Sequence, residues 1–498
     1  MKKTLTLIAF VFLLTIGCSK DDGPQLSPAK FSIDQSTVDF GEVEVSTQKE
    51  IKLTVTNTGE EDLVLKDYSF SGSSAAEFSI NAGETEKTVE TGKTYEFLVV
   101  FKPAETGDKT ATLTITSNVG EHKINLLSKS YDPNAIVNIP DVNFKESLLL
   151  HGVIYGGDGV SKIDTNDDGE IQVGEALAYK GVIGCYNKSV TDLTGIEAFV
   201  NLEKLYIEKN QLTNLDITQN TALKVLSCSF NKLSDLDVSK NTALEELSCE
   251  FNQITNLDVS QNTALEQLDC SYNQITGLDV SKNAALEHLE CLGNQLTGLD
   301  VSQNTALKKL SCAYNSITGL DVSHNTALTT LYCGNNLLTN LDVSKNTALA
   351  DFSCGENKLA NLDISKNTGL IRLDFSYNQL LSIDVSQHTV LEKLYCHNNQ
   401  LTDLDVSKNT ALKELGCILN EFTDLDVSQN TALVELYCYS NNKLSVLNIA
   451  NGNNLSMTKM YAQDNPNLTC IQKDAGFTPP SDGSWKKDDT ASYSNGCF

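Results

Sequence analysis

The stretch LEQLDCSYNQITGLDVSKNAA, residues 265–285, is followed at once by LEHLECLGNQLTGLDVSQNTA, residues 286–306. This 21-residue unit recurs from Leu202 to about Asn441. Cys228, Cys249, Cys270, Cys291, Cys312, Cys333, Cys354, Cys396, Cys417 and Cys438 share one position of it; Phe375 takes the empty slot and Ile207 the slot before the first Cys. The unit has two halves, L-x-x-L-x-C-x-x-N and L/I-x-x-L-D-V-S-x-N. In each half the last two apolar residues alternate with polar ones, the period of a short strand with one face inside. A strand is therefore expected in both halves, with Asn and Ser-x-Asn bending the chain between them. No unit has room for a long helix. Each must bury its Leu, Ile, Val and Cys against the units above and below, which predicts a mainly β, right-handed solenoid of stacked parallel strands.

L-x-x-L-x-C-x-x-N resembles the leucine-rich repeat signature, with Cys in a Leu slot. The coil is shorter than usual and its second half also reads LxxLxLxxN. It is similar to the short nested repeats of bacterial surface proteins. The resemblance covers roughly half of the chain and implies a curved array whose strand face binds a partner.

Eleven aspartates, Asp216 to Asp426, form one column, continued by Asn448. Each lies between inward apolar residues and so points out. Parallel strands stack at about 4.8 Å, so these carboxylates must be solvated, bonded to nearby backbone or hydroxyls, or bridged by cations. The unbroken Asn column from Asn210 to Asn441 reads as an internal ladder of amides on backbone carbonyls. The Cys column admits disulfides outside the cell. Ile207 and Phe375 in the same slot mark it instead as an apolar site, and side-by-side parallel Cys are poorly oriented for the disulfide dihedral, so buried free thiols are expected. One ligand per coil on a dry face makes no tetrahedral metal cage.

Outward from the repeats, the C-terminal grid slips near Asn442, and residues 472–498 read as a cap. Cys470 and Cys497 are a candidate disulfide that pins it. On the N-terminal side, residues 132–181 read as a second cap. It has a helix over 142–151, N-capped by Asp141, and then Asp164-Thr-Asn166-Asp-Asp168-Gly169-Glu170-Ile171-Gln172-Val-Gly-Glu175. That run resembles an EF-hand calcium loop, D-x-N-x-D-G-x-I-x-x-x-E. The resemblance implies a structural calcium held by the side chains of Asp164, Asn166, Asp168, Gln172 and Glu175 and by the Glu170 carbonyl. An acidic loop without metal is the alternative. The solenoid itself is expected over 182–471.

Residues 31–131 alternate apolar and polar in short runs broken by turn residues, which predicts a β-sandwich. Phe40-Gly41, Asn57-Thr58-Gly59, Phe78-Ser79-Ile80 and Phe101-Lys102-Pro103 resemble bacterial immunoglobulin-like domains of the Hydin type. The domain has neither Cys nor Trp, and a spacer role is expected. Lys2 and Lys3 precede an apolar run to Ile16 that is too short to span a membrane, so residues 1–17 read as a signal peptide. Leu14-Thr15-Ile16-Gly17-Cys18 resembles a lipobox, although Thr15 stands where Leu is usual. The resemblance implies lipidation of Cys18, a tether over 18–30 and, with Ser19-Lys20-Asp21-Asp22, exposure on the outer membrane of a Gram-negative bacterium. An ordinary cleaved leader is the alternative.

The 498 residues carry a net charge of -28, which argues against nucleic acid as a partner. HExxH, GxSxG and a Walker loop are all missing, so no enzyme is expected. Partner choice should lie at the variable positions flanking Leu and Cys. These include Glu246, Gln267, His288, Lys309, Asp351, Arg372, Lys393, Glu414 and Glu435, then Tyr206, Tyr332, Tyr395 and Tyr437 just before the Cys slot, and Phe230, Phe251, Tyr272, Tyr314 and Tyr377 just past it. Exposed Tyr amid mixed charge suits an extracellular protein partner. It also suits a glycan, and a structural envelope role is a third possibility.

Overall fold

The computed structural model describes residues 26–83, 86–151 and 161–497. The expected signal peptide and Cys18 lie outside the described residues. The chain divides into two units, residues 1–135 and 136–498.

In the first unit two sheets face each other. Phe31–Ile33, Lys49–Asn57, Thr94–Phe101 and Phe78–Asn81 form one, and Thr37–Glu44, Gly120–Tyr131, Gly107–Ser117, Leu63–Ser71 and Lys87–Val89 form the other. Alternate residues point inward, so Phe40, Phe78 and Phe101 meet ring to ring between the sheets. Asn57 is fully buried and its side-chain amide donates to the carbonyls of Glu61 and Val89, which fixes the Asn57-Thr58-Gly59 turn.

The second unit is the solenoid. Fifteen parallel strands, from Val182–Gly184 to Trp485–Lys487, stack into one sheet. Each regular coil contributes only three residues, as in Gln267–Asp269 and His288–Glu290, and the register steps by one whole repeat. Leu268 and Cys270 of each such segment point into a continuous core. All eleven cysteines from Cys185 to Cys438 are free and buried. Burial pushes the thiols of Cys185, Cys312 and Cys438 up to about 12.

The second half of the repeat departs from the expected pattern. It forms strands only near the C-terminus, at Asp424–Asp426, Val446–Asn448, Cys470–Gln472 and Ser492–Ser494. In the regular coils it forms no strand ladder; a single backbone bond per coil, such as the Gln274 amide to the Ile254 carbonyl at 2.8 Å, links its start to the coil before. Side-chain amides bridge the coils instead: Asn241 donates to the carbonyls of Ile217 and Asn220, and Asn262 repeats this one coil on. This second Asn ladder complements the first. In the first, Asn273 donates to the carbonyls of Cys249, Cys270 and Ser271 and accepts from the Ile254 amide.

Both ends are closed by different means. Asp141 caps the helix Val142–Leu149 through the amides of Asn143 and Phe144, and its other oxygen takes the Thr191 amide and hydroxyl of the first coil. At the far end Cys470 and Cys497 are disulfide-bonded, and the Trp485 indole donates to the Met457 carbonyl. Among the described residues no helix is long and apolar enough to cross a membrane.

Candidate functional site

On the strand face, two side chains per coil project outward from either side of the buried Leu, and the two residues after the Cys slot follow them. Residues one repeat apart are therefore neighbours. Glu203–Lys224, Glu287–Lys308, Asp351–Arg372, Glu392–Lys413 and Lys393–Glu414 are all ion pairs separated by one 21-residue step.

The densest cluster spans the eighth to twelfth strands of the sheet. The Arg372 guanidinium donates to Asp351 at 3.1 Å, lies 3.7 Å from Asp374 and sits 5.6 Å from the Tyr395 ring centre. The Tyr332 hydroxyl donates to the other Asp351 oxygen at 2.6 Å. Lys393 pairs with Glu414 at 3.2 Å. Burial, then the bond to Asp351, pushes the Tyr332 phenol up to about 12. Burial and the bond to Glu414 raise Tyr395 as well. His397 sits beside Tyr395; its Nδ1 accepts from the Ile418 amide at 3.2 Å, and burial lowers its pKa. Gly416 makes room for it, since a Cβ there would lie 2.2 Å from the His397 ring.

The other aromatic positions fall elsewhere. Tyr437 belongs to a separate group in which Lys459 donates to its hydroxyl at 3.1 Å and Tyr461 meets it edge-on. Tyr206 lies near the N-terminal end of the sheet. Phe230, Phe251 and Tyr272 form a continuous stack, with ring centres 4.3 and 4.4 Å apart. Tyr314 and Tyr377 share the same column but stand apart from it. Every residue of that column from Lys209 to Ser440 has a left-handed φ, between 49° and 67°. Aromatic side chains seldom adopt that backbone.

The sequence pattern singled out Tyr332, Asp351, Arg372, Lys393, Tyr395 and Glu414 without pairing them, and it passed over Asp374 and His397. The signal was present: once the period is 21, residues one step apart along the chain are paired across strands.

On the opposite side, every column Asp bends back on its own turn. Asp321 accepts from the Ser323 amide at 2.9 Å, and that bond, with the Ser323 hydroxyl, holds its carboxyl below the ordinary value. Shallow grooves run between these turns, one of about 840 Å³ lined by Asp300, Asp321 and Asp342 with intervening Thr and Ser.

The loop at 164–175 offers only oxygen donors. Asp164 is buried and takes the amides of Asp167 and Gly169; Asp168 takes the Glu170 amide and the Gln172 side-chain amide. Asp167 and Gly169 both have left-handed φ. Asn166 and Gln172 are brought onto Asp168. The Glu175 carboxylate turns instead to the amides of Thr165 and Gln172, and the Glu170 side chain turns outward to Lys145. Among the described residues no three or more His, Cys, Asp or Glu side chains converge as a ready metal cage. The donor chemistry still fits a hard cation, because the amide oxygens of Asn166 and Gln172 and the Glu170 carbonyl complete an oxygen set.

Residues 24–124 match the family model for the abnormal spindle-like microcephaly-associated, ASPM-SPD-2-Hydin domain. Residues 221–262 and 305–346 match the model for leucine-rich repeats in two copies. Internalin J of Listeria monocytogenes is 40% identical over 82 residues, 16% of this chain and 8% of that protein. The chain thus spans a small part of that curated relative's length. The solved functional domain of Internalin J, described as including a cysteine ladder, is 33% identical with a TM-score of 0.55, over 68% of this chain and 76% of that one. An internalin from the same species, InlF, shares the fold, with a TM-score of 0.53 at 21% identity over 70% of this chain and 98% of that one.

Proposed function

We propose, from the premise that this chain belongs to the leucine-rich repeat family, that it is a cell-surface binding protein whose strand face takes a protein partner. The observation that supports this best is the chain of Tyr332, Asp351, Arg372, Tyr395 and Glu414. Half-exposed Tyr and Arg held by their neighbours lose little freedom on binding, and these residue types dominate interface hot spots. Cross-linking of the full chain to intact cells and to surface-protein extracts is the test, run beside a glycan array. The double variant Tyr332→Ala/Tyr395→Ala is expected to abolish protein capture while leaving the melting curve in place. Unchanged capture would remove the strand face from the proposal, and glycan binding without protein capture would replace the partner class.

The leader presents the chain at the outer membrane by lipidation of Cys18. Labelling with a palmitate analogue should be lost in Cys18→Ser. The loop at 164–175 holds a structural calcium through Asp164, Asn166, Asp168, the Glu170 carbonyl, Gln172 and Glu175. Such an ion cross-links the cap that precedes the first coil. A ligand that binds only the folded state raises its stability, so a chelator should lower the melting temperature and calcium restore it. An unchanged melting curve would remove the ion from the proposal.

A further inference from the structure

The N-terminal third of the strand face differs from the Tyr332–Arg372 cluster in both charge and shape. Phe230, Phe251 and Tyr272 are each 41% exposed. Their left-handed backbone suits Asn, Ser or Gly, which occupy the same slot in other coils, so the turn itself does not call for aromatic residues. Successive rings lie nearly parallel, at 15° and 17°, so each covers its neighbour's face and the strip shows its edges to solvent. Sugar rings bind aromatic faces, and this strip has few to offer. Lys209 closes one end, 5.7 Å over Phe230. At the other end the Tyr272 ring lies against the backbone of Gly293, where a Cβ would come within 2.7 Å of it, so only a glycine lets the last ring settle there.

Carboxylates flank this strip. Residues 245–251, 266–272 and 287–293 contain no Lys or Arg. Glu290 is paired with Lys309 of the next coil. Among the described residues Glu246, Glu250 and Asp269 have no Lys or Arg at ion-pair distance. Glu250 takes only the Ser229 hydroxyl, and Asp269 the Ser271 amide. Burial, with Glu250 and Glu290 nearby, raises the Asp269 carboxyl. The C-terminal cluster, by contrast, carries its own cations in Arg372 and Lys393.

We propose that the aromatic strip Phe230–Phe251–Tyr272 and its flanking carboxylates dock an arginine-bearing apolar segment of a partner protein, with one guanidinium at the carboxylates of Glu246, Glu250 and Asp269. Apolar side chains of that segment cover the ring edges. The planar guanidinium forks onto a carboxylate, a pairing that Arg suits better than Lys. This docking presupposes the binding role proposed above and assigns it a partner chemistry.

The test uses the full chain and a short labelled peptide alternating arginine and leucine, read by fluorescence anisotropy. An oligo-arginine peptide of equal charge and a glutamate–leucine peptide serve as controls. The arginine–leucine peptide is expected to bind best, and Phe251→Ala or Asp269→Asn to weaken it by about 10-fold, in line with loss of an interface anchor. Tyr332→Ala/Tyr395→Ala should change it less than about 2-fold, because sites this far apart act independently. Equal binding of oligo-arginine, unaffected by Phe251→Ala, would show general attraction to an acidic protein and overturn the proposal. So would no binding at all. If surface-protein capture persists in Phe251→Ala and falls in Tyr332→Ala/Tyr395→Ala, the binding role stands and this assignment fails.

Discussion

The two sides of each coil are built to opposite rules. On the turn side, Leu-Asp-Val-Ser-x-Asn repeats almost unchanged, and its Asp carboxylates and Asn side-chain N–H groups bond the backbone of their own coil or of the one before, while the Oδ1 of the second-ladder Asn, as at Asn283, is buried without a partner. Asp279 takes the Ser281 amide, and Asn283 reaches the carbonyls of Val259 and Asn262. On the strand side, the positions beside the buried Leu vary from coil to coil along the stack, and their polar groups are met by other side chains or left open. A residue bound to invariant backbone can be the same in all coils, because the backbone is the same in all coils. A residue free to vary without loss of the stack is available for recognition.

Neighbouring positions give the sharpest contrast. Asn378 donates to the carbonyls of Cys354, Phe375 and Ser376 and accepts from the Leu359 amide, whereas Tyr377 beside it is 48% exposed. Asn378→Ala strands several buried backbone groups, and about 4 kcal/mol of stability should be lost. Tyr377→Ala should stay within about 0.5 kcal/mol, as surface changes do. Because Tyr377 has φ 55°, Tyr377→Gly should be neutral or stabilising by up to about 1 kcal/mol. Denaturation midpoints of the three variants check this, and similar losses at 377 and 378 would break the contrast.

The next largest effect is expected at the C-terminal cap, where no further coil covers the core. The Cys470–Cys497 bond closes a loop with a sequence separation of 27, and loop entropy gives it about 3 kcal/mol. Cys470→Ser/Cys497→Ser should therefore lower the midpoint clearly, with early loss of Trp485 fluorescence. Serine at one ladder position such as Cys312 acts differently: it places a hydroxyl in a dry slot with no disulfide to lose.

A smaller change tests the turn side alone. His388 interrupts the second Asn ladder. Its Nε2 reaches the Ile364 carbonyl at 3.1 Å, and its Nδ1 has no partner. Asparagine at this slot elsewhere reaches two carbonyls. His388→Asn should restore the second bond and raise stability by about 1 kcal/mol, read as a higher midpoint. A lower midpoint would mean that the ring's packing outweighs the missing bond.

Much of this was legible in the sequence, because one 21-residue period determines who neighbours whom. The Cys and Leu columns gave the stack, and the alternation over 31–131 gave the sandwich. Two features escaped. Alternation in the second half suggested a strand, but there the amides of Asn241 and Asn262 bridge the coils in place of a strand ladder. The Tyr332–Arg372 cluster also went unassembled, since Asp351 and Asp374 look like ordinary acidic residues until they are placed one coil from Arg372 and beside it. For the loop at 164–175 the sequence supplied the donor types, while the turn of Glu175 toward Thr165 depends on local backbone that the motif does not specify.

The Asp column gives the smallest expected effect and the most direct test of why that side repeats. The carboxyls of Asp300, Asp321 and Asp363 are held below the ordinary value, first by the amide two residues on and then by that residue's hydroxyl. A carboxylate with a lowered folded pKa stabilises the protein above its unfolded value, and that contribution fades as pH falls through the folded value. Melting temperature should thus hold from neutral pH to about 5 and decline below about 4, where these groups begin to take up protons. The side chain's role in the turn needs an oxygen acceptor, not a charge. Asn448 already occupies the column and takes the Ala450 amide at 3.1 Å. Asp321→Asn should therefore keep neutral-pH stability and remove its share of the acid decline, while Asp321→Ala should lower stability at both. If Asp321→Asn instead behaves like Asp321→Ala at neutral pH, the charge itself is needed on the turn side, and that side could no longer be regarded as purely structural.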